Sequence, residues 1–243
     1  MLAADLLETL TENFQRGDRL DGLSTGLADL DAVLLGLRPG GLYQIVGDPG
    51  SGRTALAVQI ALANSLRGAR RVLLLADRAD SQLLTARLVS GITGIELDAF
   101  RTGRLSQRAW ERLHDATSML ERASLDIGLD LPIDEQHGAL ESGDYDLAIL
   151  DGSSTTASTG TRIESSGTTV VWTGAEPTGW VDASAVIQVT GPDLSTGTAV
   201  IDVMRNHGGR VGPVAVAWRP AVAAFANLKH TTQSTMPATA STN

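Results

Sequence analysis

The sequence predicts an α/β domain: a mostly parallel central sheet with helices on both faces and antiparallel strands at its C-terminal side. Three observations carry this. Short apolar runs alternate with helical stretches from Leu42 to Asp151. The first of those runs leads through a glycine-rich turn into a helix. Four β-like runs then crowd the last third of the chain with no helix between them, the pattern that adds strands to one side of a wound sheet.

Residues 3–16 read as a short amphipathic helix, with Leu6, Leu7, Leu10 and Phe14 at helical spacing and Gly17-Asp18 at its end. Its apolar stripe needs a cover, either its own core or a neighbouring copy. Leu42–Val46 is a buried strand between glycine pairs, Ala55–Leu66 a helix and Arg71–Ala76 a second buried strand. Ser81–Val89 and Gln107–Arg122 are helices, the latter with Trp110, Leu113, Ala116 and Leu120 assigned to one face. Leu147–Leu150 is a strand ending in Asp151. The stretch Gly152–Thr169, rich in Ser, Thr and Gly with one Arg and one Glu, reads as a flexible loop. Thr169–Trp172, Ala185–Val189, Ala199–Met204 and Val214–Trp218 are the four late strands. The expected organisation is a linker-like helix in 1–20, one domain over 21–228 and a disordered Thr/Ser-rich tail over 229–243.

Composition narrows the functional classes. The 243 residues are 42% hydrophobic and 19% charged, ordinary for a globular chain with a sizeable core. No apolar run reaches the roughly 18–20 residues that span a bilayer, and Asp5, Glu8 and Glu12 replace the basic start of a signal peptide. Without cysteine there are no disulfides or thiolate metal sites, and the four His (114, 137, 207, 230) lack ligand spacing. These features predict a cytoplasmic protein with no membrane partner. The net charge of −9 argues against a broad nucleic-acid surface but not against a local basic channel. Lys229 is the sole lysine, so an Arg at a position that favours Lys is open to a compositional explanation.

Gly47-Asp48-Pro49-Gly50-Ser51-Gly52-Arg53-Thr54 fits G-x-x-x-x-G-K-[ST] at every fixed position but the Lys, between a strand and a helix. Glycines let backbone N–H groups curl round phosphate oxygens, and the following helix turns its positive end to the anion. The expected ligands are ATP and Mg²⁺, with the Thr54 hydroxyl on the metal. Arg53 still supplies charge, but its planar, longer head changes the fit near the γ-phosphate, so binding is expected to survive better than hydrolysis. Asp151, at the end of an apolar strand, is the second expected Mg²⁺ carboxylate.

Beyond this loop, Gly22-Leu23-Ser24-Thr25-Gly26-Leu27-Ala28-Asp29-Leu30-Asp31 with Gly36-Leu37-Arg38-Pro39-Gly40 resembles the opening of DnaB-type replicative helicases and their RecA-like relatives. Arg101-Thr102-Gly103-Arg104-Leu105 and Trp110-Glu111-Arg112-Leu113 are similar to a stretch more particular to the DnaB-type group. Arg205-Asn206, with Gly208, Gly209 and Gly212, then Phe225-Ala226-Asn227-Leu228, resembles that family's closing hairpin and last strand. The resemblance runs from about residue 5 to 228, close up to Ile127 and patchy after Asp151, and does not include the family's N-terminal helical domain. It implies a RecA-like P-loop NTPase fold, ATP-driven DNA unwinding in replication, a ring of copies and single-stranded DNA as a possible partner. Residues 3–16 fall where the family's linker helix packs on the adjacent subunit, and Arg205 where it offers an arginine finger to a neighbour's nucleotide.

The same resemblance implies departures. A nearby family Lys appears as Val203, and the γ-phosphate sensor Gln as Gly174 or Ala175. The catalytic Glu falls near Arg78. Asp77 beside it is expected to face the other way, since neighbours alternate on a strand; a register one residue off, with Asp77 as the base, stays open. The DNA-facing loop is the near-neutral Gly152–Thr169, although single-strand grooves use rows of Lys and Arg. Two readings follow: a working ATP-driven helicase motor with impaired catalysis, or a nucleotide-binding pseudo-enzyme that associates with itself or with a helicase. A recombinase-type relative is a third, against which the Arg101–Leu113 stretch counts.

Overall fold

The computed structural model describes residues 22–77, 80–142, 144–152, 167–177 and 183–228. The expected helix over 3–16, Arg78, most of the 152–169 loop and the tail from 229 lie outside the described residues.

Among the described residues nine strands form one sheet: β1 (Leu42–Val46), β2 (Val72–Ala76), β3 (Leu125–Leu129), β4 (Leu147–Asp151), β5 (Thr169–Gly174), β6 (Ala185–Val189), β7 (Thr198–Asn206), β8 (Gly212–Arg219) and β9 (Ala224–Asn227). Their order is β3-β2-β4-β5-β1-β6-β7-β8-β9. The six from β3 to β6 run parallel, and β7, β8 and β9 continue as an antiparallel meander. The helices are α1 (Ala28–Leu34), α2 (Arg53–Leu62, continued by a π turn over Ala63–Arg67), α3 (Ser81–Thr93), α4 (Leu97–Thr102), α5 (Gln107–Arg122) and α6 (Ile133–Glu141).

The central strands are apolar throughout because both faces are covered. Alternation splits them between two cores. Ile45, Val72, Leu74, Leu147, Ile149 and Val171 pack with α1, α2 and α3 through Leu30, Leu56, Ile60, Leu84 and Leu88. Val46, Leu73, Leu75, Leu150 and Trp172 pack on the other face with Leu140 of α6. The opening segment is a structural clasp: buried Asp31 accepts from Ser24 Oγ (2.7 Å), Thr25 N (2.7 Å) and Thr25 Oγ1 (2.6 Å), while Asn64 Nδ2 donates to Ser24 O at 2.8 Å.

The predicted sheet is met, with helices on both faces and antiparallel strands at the C-terminal side. Four elements escaped the sequence reading: the short helices α1 and α4, β3, whose Asp126 and Gly128 hide an edge strand, and α6, which carries an interior glycine, Gly138. On α5 the packed stripe is Ala109, Leu113, Ala116 and Leu120, and Trp110 lies one residue off it, 54% exposed. Among the described residues no helix is long and apolar enough to cross a membrane.

Candidate functional site

The glycine loop leaves the carboxyl end of β1. Gly47 N–H donates to Ala175 O at 3.3 Å, and Ser51 N–H closes the turn on Asp48 O at 3.0 Å. Two glycines are required by contact. A Cβ on Gly47 would stand 2.4 Å from the Val189 carbonyl oxygen, and one on Gly52, whose φ is 106°, would stand 2.6 Å from the Phe225 ring. Ser51 turns inward and is 2% exposed, while Gly50 stays open, with nothing within 4 Å of where its Cβ would be. Helix α2 begins at Arg53 with no side chain capping it, so the N–H groups of its first turn keep their hydrogen-bonding capacity for a ligand at the loop.

Beside the loop, at the carboxyl ends of β2, β4 and β5, lies a cleft of about 320 Å³. Arg53, Thr54, Asp77, Arg87, Asp151 and Thr173 are among its walls. A crevice outside the carboxyl ends of parallel strands is where open α/β sheets bind ligands. The Asp151 carboxylate accepts from the Thr173 hydroxyl at 2.5 Å, whose oxygen in turn accepts from Gly152 N–H at 3.1 Å. Thr54 and Asp151 offer the oxygen ligands a hard divalent cation takes, and Mg²⁺ commonly completes its shell with phosphate oxygens and water. Among the described residues no group of three or more His, Asp or Glu could hold a metal by itself.

Asp77 is among the residues at the rim of this cleft, but its side chain keeps the direction alternation predicts: like Leu73 and Leu75 it turns to the face packed by α6, away from α2 and α3. Its N–H donates to Asp151 O at 3.1 Å, and its carboxylate accepts from Gln136 Nε2 at 3.1 Å. Gln136, Thr173 and Arg87 were not anticipated; an isolated polar residue in a helix or at a strand end carries no spacing signal.

Arg205 is not brought to the cleft. It pairs with Val186 on β7, and Val186 pairs with Gln44, two residues before β1 ends. Its Nη2 donates to Ala183 O at 2.8 Å. The register shifts between Val186 and Ile187, so Met204 is an extra residue in β7; such a bulge re-aims the side chains around it. Val203 is fully buried in the core. At the expected sensor position Gly174 ends β5, and the carbonyl of Ala175 is taken by Gly47.

Residues 22–135 match the family model of the DnaB-like helicase C terminal domain. The replicative DNA helicase DnaB of Nostoc sp. is 33% identical over 130 residues, 50% of this chain and 15% of that protein, so the chain spans a minor part of that relative. Among solved structures, the ATPase domain of the protein named G40P superposes with a TM-score of 0.79 at 15% identity, covering 94% of this chain and 99% of that one. A DnaB-like replicative helicase, solved in a study of its interactions with primase, gives 0.76 at 15% identity over 93% of this chain and 66% of its own. Residues 22–135 thus carry the sequence signature of the DnaB-like helicase C terminal domain, and the chain shares the RecA-like fold of such helicase ATPase domains.

Proposed function

We propose that this domain binds ATP with Mg²⁺ at Gly47–Thr54 and derives from an ATP-driven DNA-unwinding motor whose hydrolysis is slow. The observation that carries this is the cleft itself, which joins Arg53 and Thr54, at the end of the glycine loop, to Asp151. In this reading the loop amides and Arg53 hold the phosphates, and Thr54 and Asp151 hold Mg²⁺, which would neutralise charge on the transferring phosphate. The family's catalytic glutamate falls near Arg78, and Arg53 replaces a compact ammonium, so both changes favour slow turnover.

Two measurements test it. Thermal stabilisation should grow with nucleotide as RT ln(1 + [L]/Kd), and Thr54→Ala should remove its Mg²⁺-dependent part; no stabilisation at millimolar nucleotide would refute binding. Turnover should fall well below about 1 per second with or without single-stranded DNA; an ordinary ATPase rate would refute slow hydrolysis.

The second reading, a nucleotide-binding module that regulates or assembles without turning over, is favoured by Arg53 and by the near-neutral composition of 152–169. It predicts the same stabilisation with no hydrolysis at all. In both readings the working form is an assembly in the cytoplasm, a head-to-tail set of copies or a complex with a helicase. Arg205 lies away from its own cleft, as a residue serving a neighbour would. A second groove of about 360 Å³, with Val89, Phe100 and Leu113 in its wall, offers apolar surface for the stripe at 3–16. Single-stranded DNA is a partner the family resemblance offers and the net charge of −9 opposes.

A further inference from the structure

Helix α3 turns one side to the cleft. Asp80, Leu83, Leu84 and Arg87 all line it, at the spacing that stacks side chains along one side of a helix. Leu84 also belongs to the core that α3 shares with α2. This wall therefore lies on the same face of the sheet as Asp151, which follows the packed Leu147 and Ile149 by alternation on β4. At one end of the wall Arg87 keeps a buried Nε with no hydrogen-bond partner. A buried donor left open in a cleft calls for an acceptor from outside the chain. At the other end Asp80 caps the helix. Its Oδ1 accepts from Gln82 N–H at 2.9 Å and from Leu83 N–H at 3.2 Å. Both bonds fall on one oxygen, and among the described residues Oδ2 takes part in no hydrogen bond.

Three carboxylates line the cleft. Asp77 turns to Gln136 on the opposite face. Asp151 is tied to the Thr173 hydroxyl and is the carboxylate read as a metal ligand. We infer that Asp80 is the general base of this site, the group that takes the proton of the attacking water. The inference rests on the reading of Gly47–Thr54 as the nucleotide site. The cap suits the role, because two backbone N–H groups fix the carboxylate through one oxygen and leave the other available. In the step, the water oxygen bonds to the γ-phosphorus and its proton passes to Asp80, which later releases it to solvent. The bond from that phosphorus to the bridging oxygen breaks, and its electron pair stays on the ADP. The products are ADP and inorganic phosphate.

Capping and catalysis can be separated, because Asn and Ser cap a helix about as well as Asp but do not serve as a base near neutral pH. Hydrolysis of ATP with Mg²⁺ is followed under single turnover with enzyme in excess, and nucleotide binding by thermal shift. Asp80→Asn and Asp80→Ser should each lower the hydrolysis rate about 100-fold or more, with the wild-type Tm and full nucleotide stabilisation. Hydrolysis at the wild-type rate in either variant overturns the role of Asp80 and leaves the nucleotide site standing. A rate that falls only in step with a lowered Tm makes Asp80 a cap alone and overturns it too. So does hydrolysis that is lost on Asp77→Asn and kept on Asp80→Asn. A wild-type protein that nucleotide stabilises but that hydrolyses nothing overturns the inference in favour of the non-hydrolysing module. No stabilisation by nucleotide overturns the site and the inference together.

Discussion

The two ends of the sheet hold their shape by different means. At the carboxyl ends of β1, β2 and β4, individual residues are fixed by specific contacts: Gly47 against Val189, Asp77 against Gln136, Asp151 against Thr173. In the meander β7–β9, alternation suffices, with Ala199, Ile201 and Val203 buried and Val200 and Met204 exposed. The family signature covers residues 22–135 and stops before the meander, while the structural likeness continues over 94% of the chain. An alternating pattern can be met by many sequences, whereas a glycine whose Cβ would meet a carbonyl at 2.4 Å cannot be exchanged. The fold therefore outlasts the sequence signature where packing alone is asked of the chain.

Phe225 is where the two regions meet, and breaking it should have the largest effect. Its ring is buried on β9, stands 4.8 Å from the Trp218 ring at an interplanar angle of 52°, and fills the space a Cβ on Gly52 would need. Its N–H donates to Gln59 Oε1 of α2 at 3.2 Å. Phe225→Ala should cost about 3–5 kcal/mol of stability, a fall in Tm on the order of 10 °C, and should also weaken nucleotide-dependent stabilisation, because the loop loses its backing. An unchanged response to nucleotide at lowered Tm would show that the meander supports the fold but not the loop.

The same contrast explains what was legible in the sequence. The strand Leu42–Val46 and the helix Gln107–Arg122 were read with the bounds they have, because an apolar run between glycine pairs marks the first and apolar residues at helical spacing mark the second. Strand β3 was not read, since one side of it is exposed and its Asp126 and Gly128 break the apolar pattern. At the site, the loop and Asp151 were legible because spacing encodes them. The direction of Asp77 was legible as well, because alternation along β2 carries it to the α6 face, where Gln136 donates to its carboxylate. Trp110 was misplaced because a large apolar residue next to a helical stripe looks like part of it.

Arg205 sharpens the comparison by an intermediate amount. Within one copy it holds Ala183 O, away from the cleft, so Arg205→Ala should leave nucleotide binding to an isolated copy unchanged. If copies associate head to tail, its turnover should drop about 10-fold or more, and only at concentrations where light scattering detects assembly. An equal drop at every dilution would make Arg205 a structural residue of its own chain.

The smallest effect is expected in the turn between β6 and β7. Asp193 accepts from the Ser195 hydroxyl at 2.6 Å and from Ser195 N–H at 2.8 Å. Those donors hold its carboxyl below the ordinary aspartate value. A carboxyl depressed in the folded state contributes stability that is present above its unfolded pKa and is lost as pH falls through the folded one. Asp193→Asn should therefore melt slightly below wild type at neutral pH, and the gap should narrow as the pH falls below about 4, the ordinary aspartate value, and through the lower folded one. The carboxyl is fully exposed, so solvent screens most of the effect, and the turn keeps a backbone tie from Asp193 N–H to Thr198 O at 2.9 Å in either case. A gap that persisted unchanged into acid would mean that the side chain acts through its shape and not its charge. In that event even the meander would contain a position where residue identity matters more than pattern, and the contrast between the two ends of the sheet would narrow.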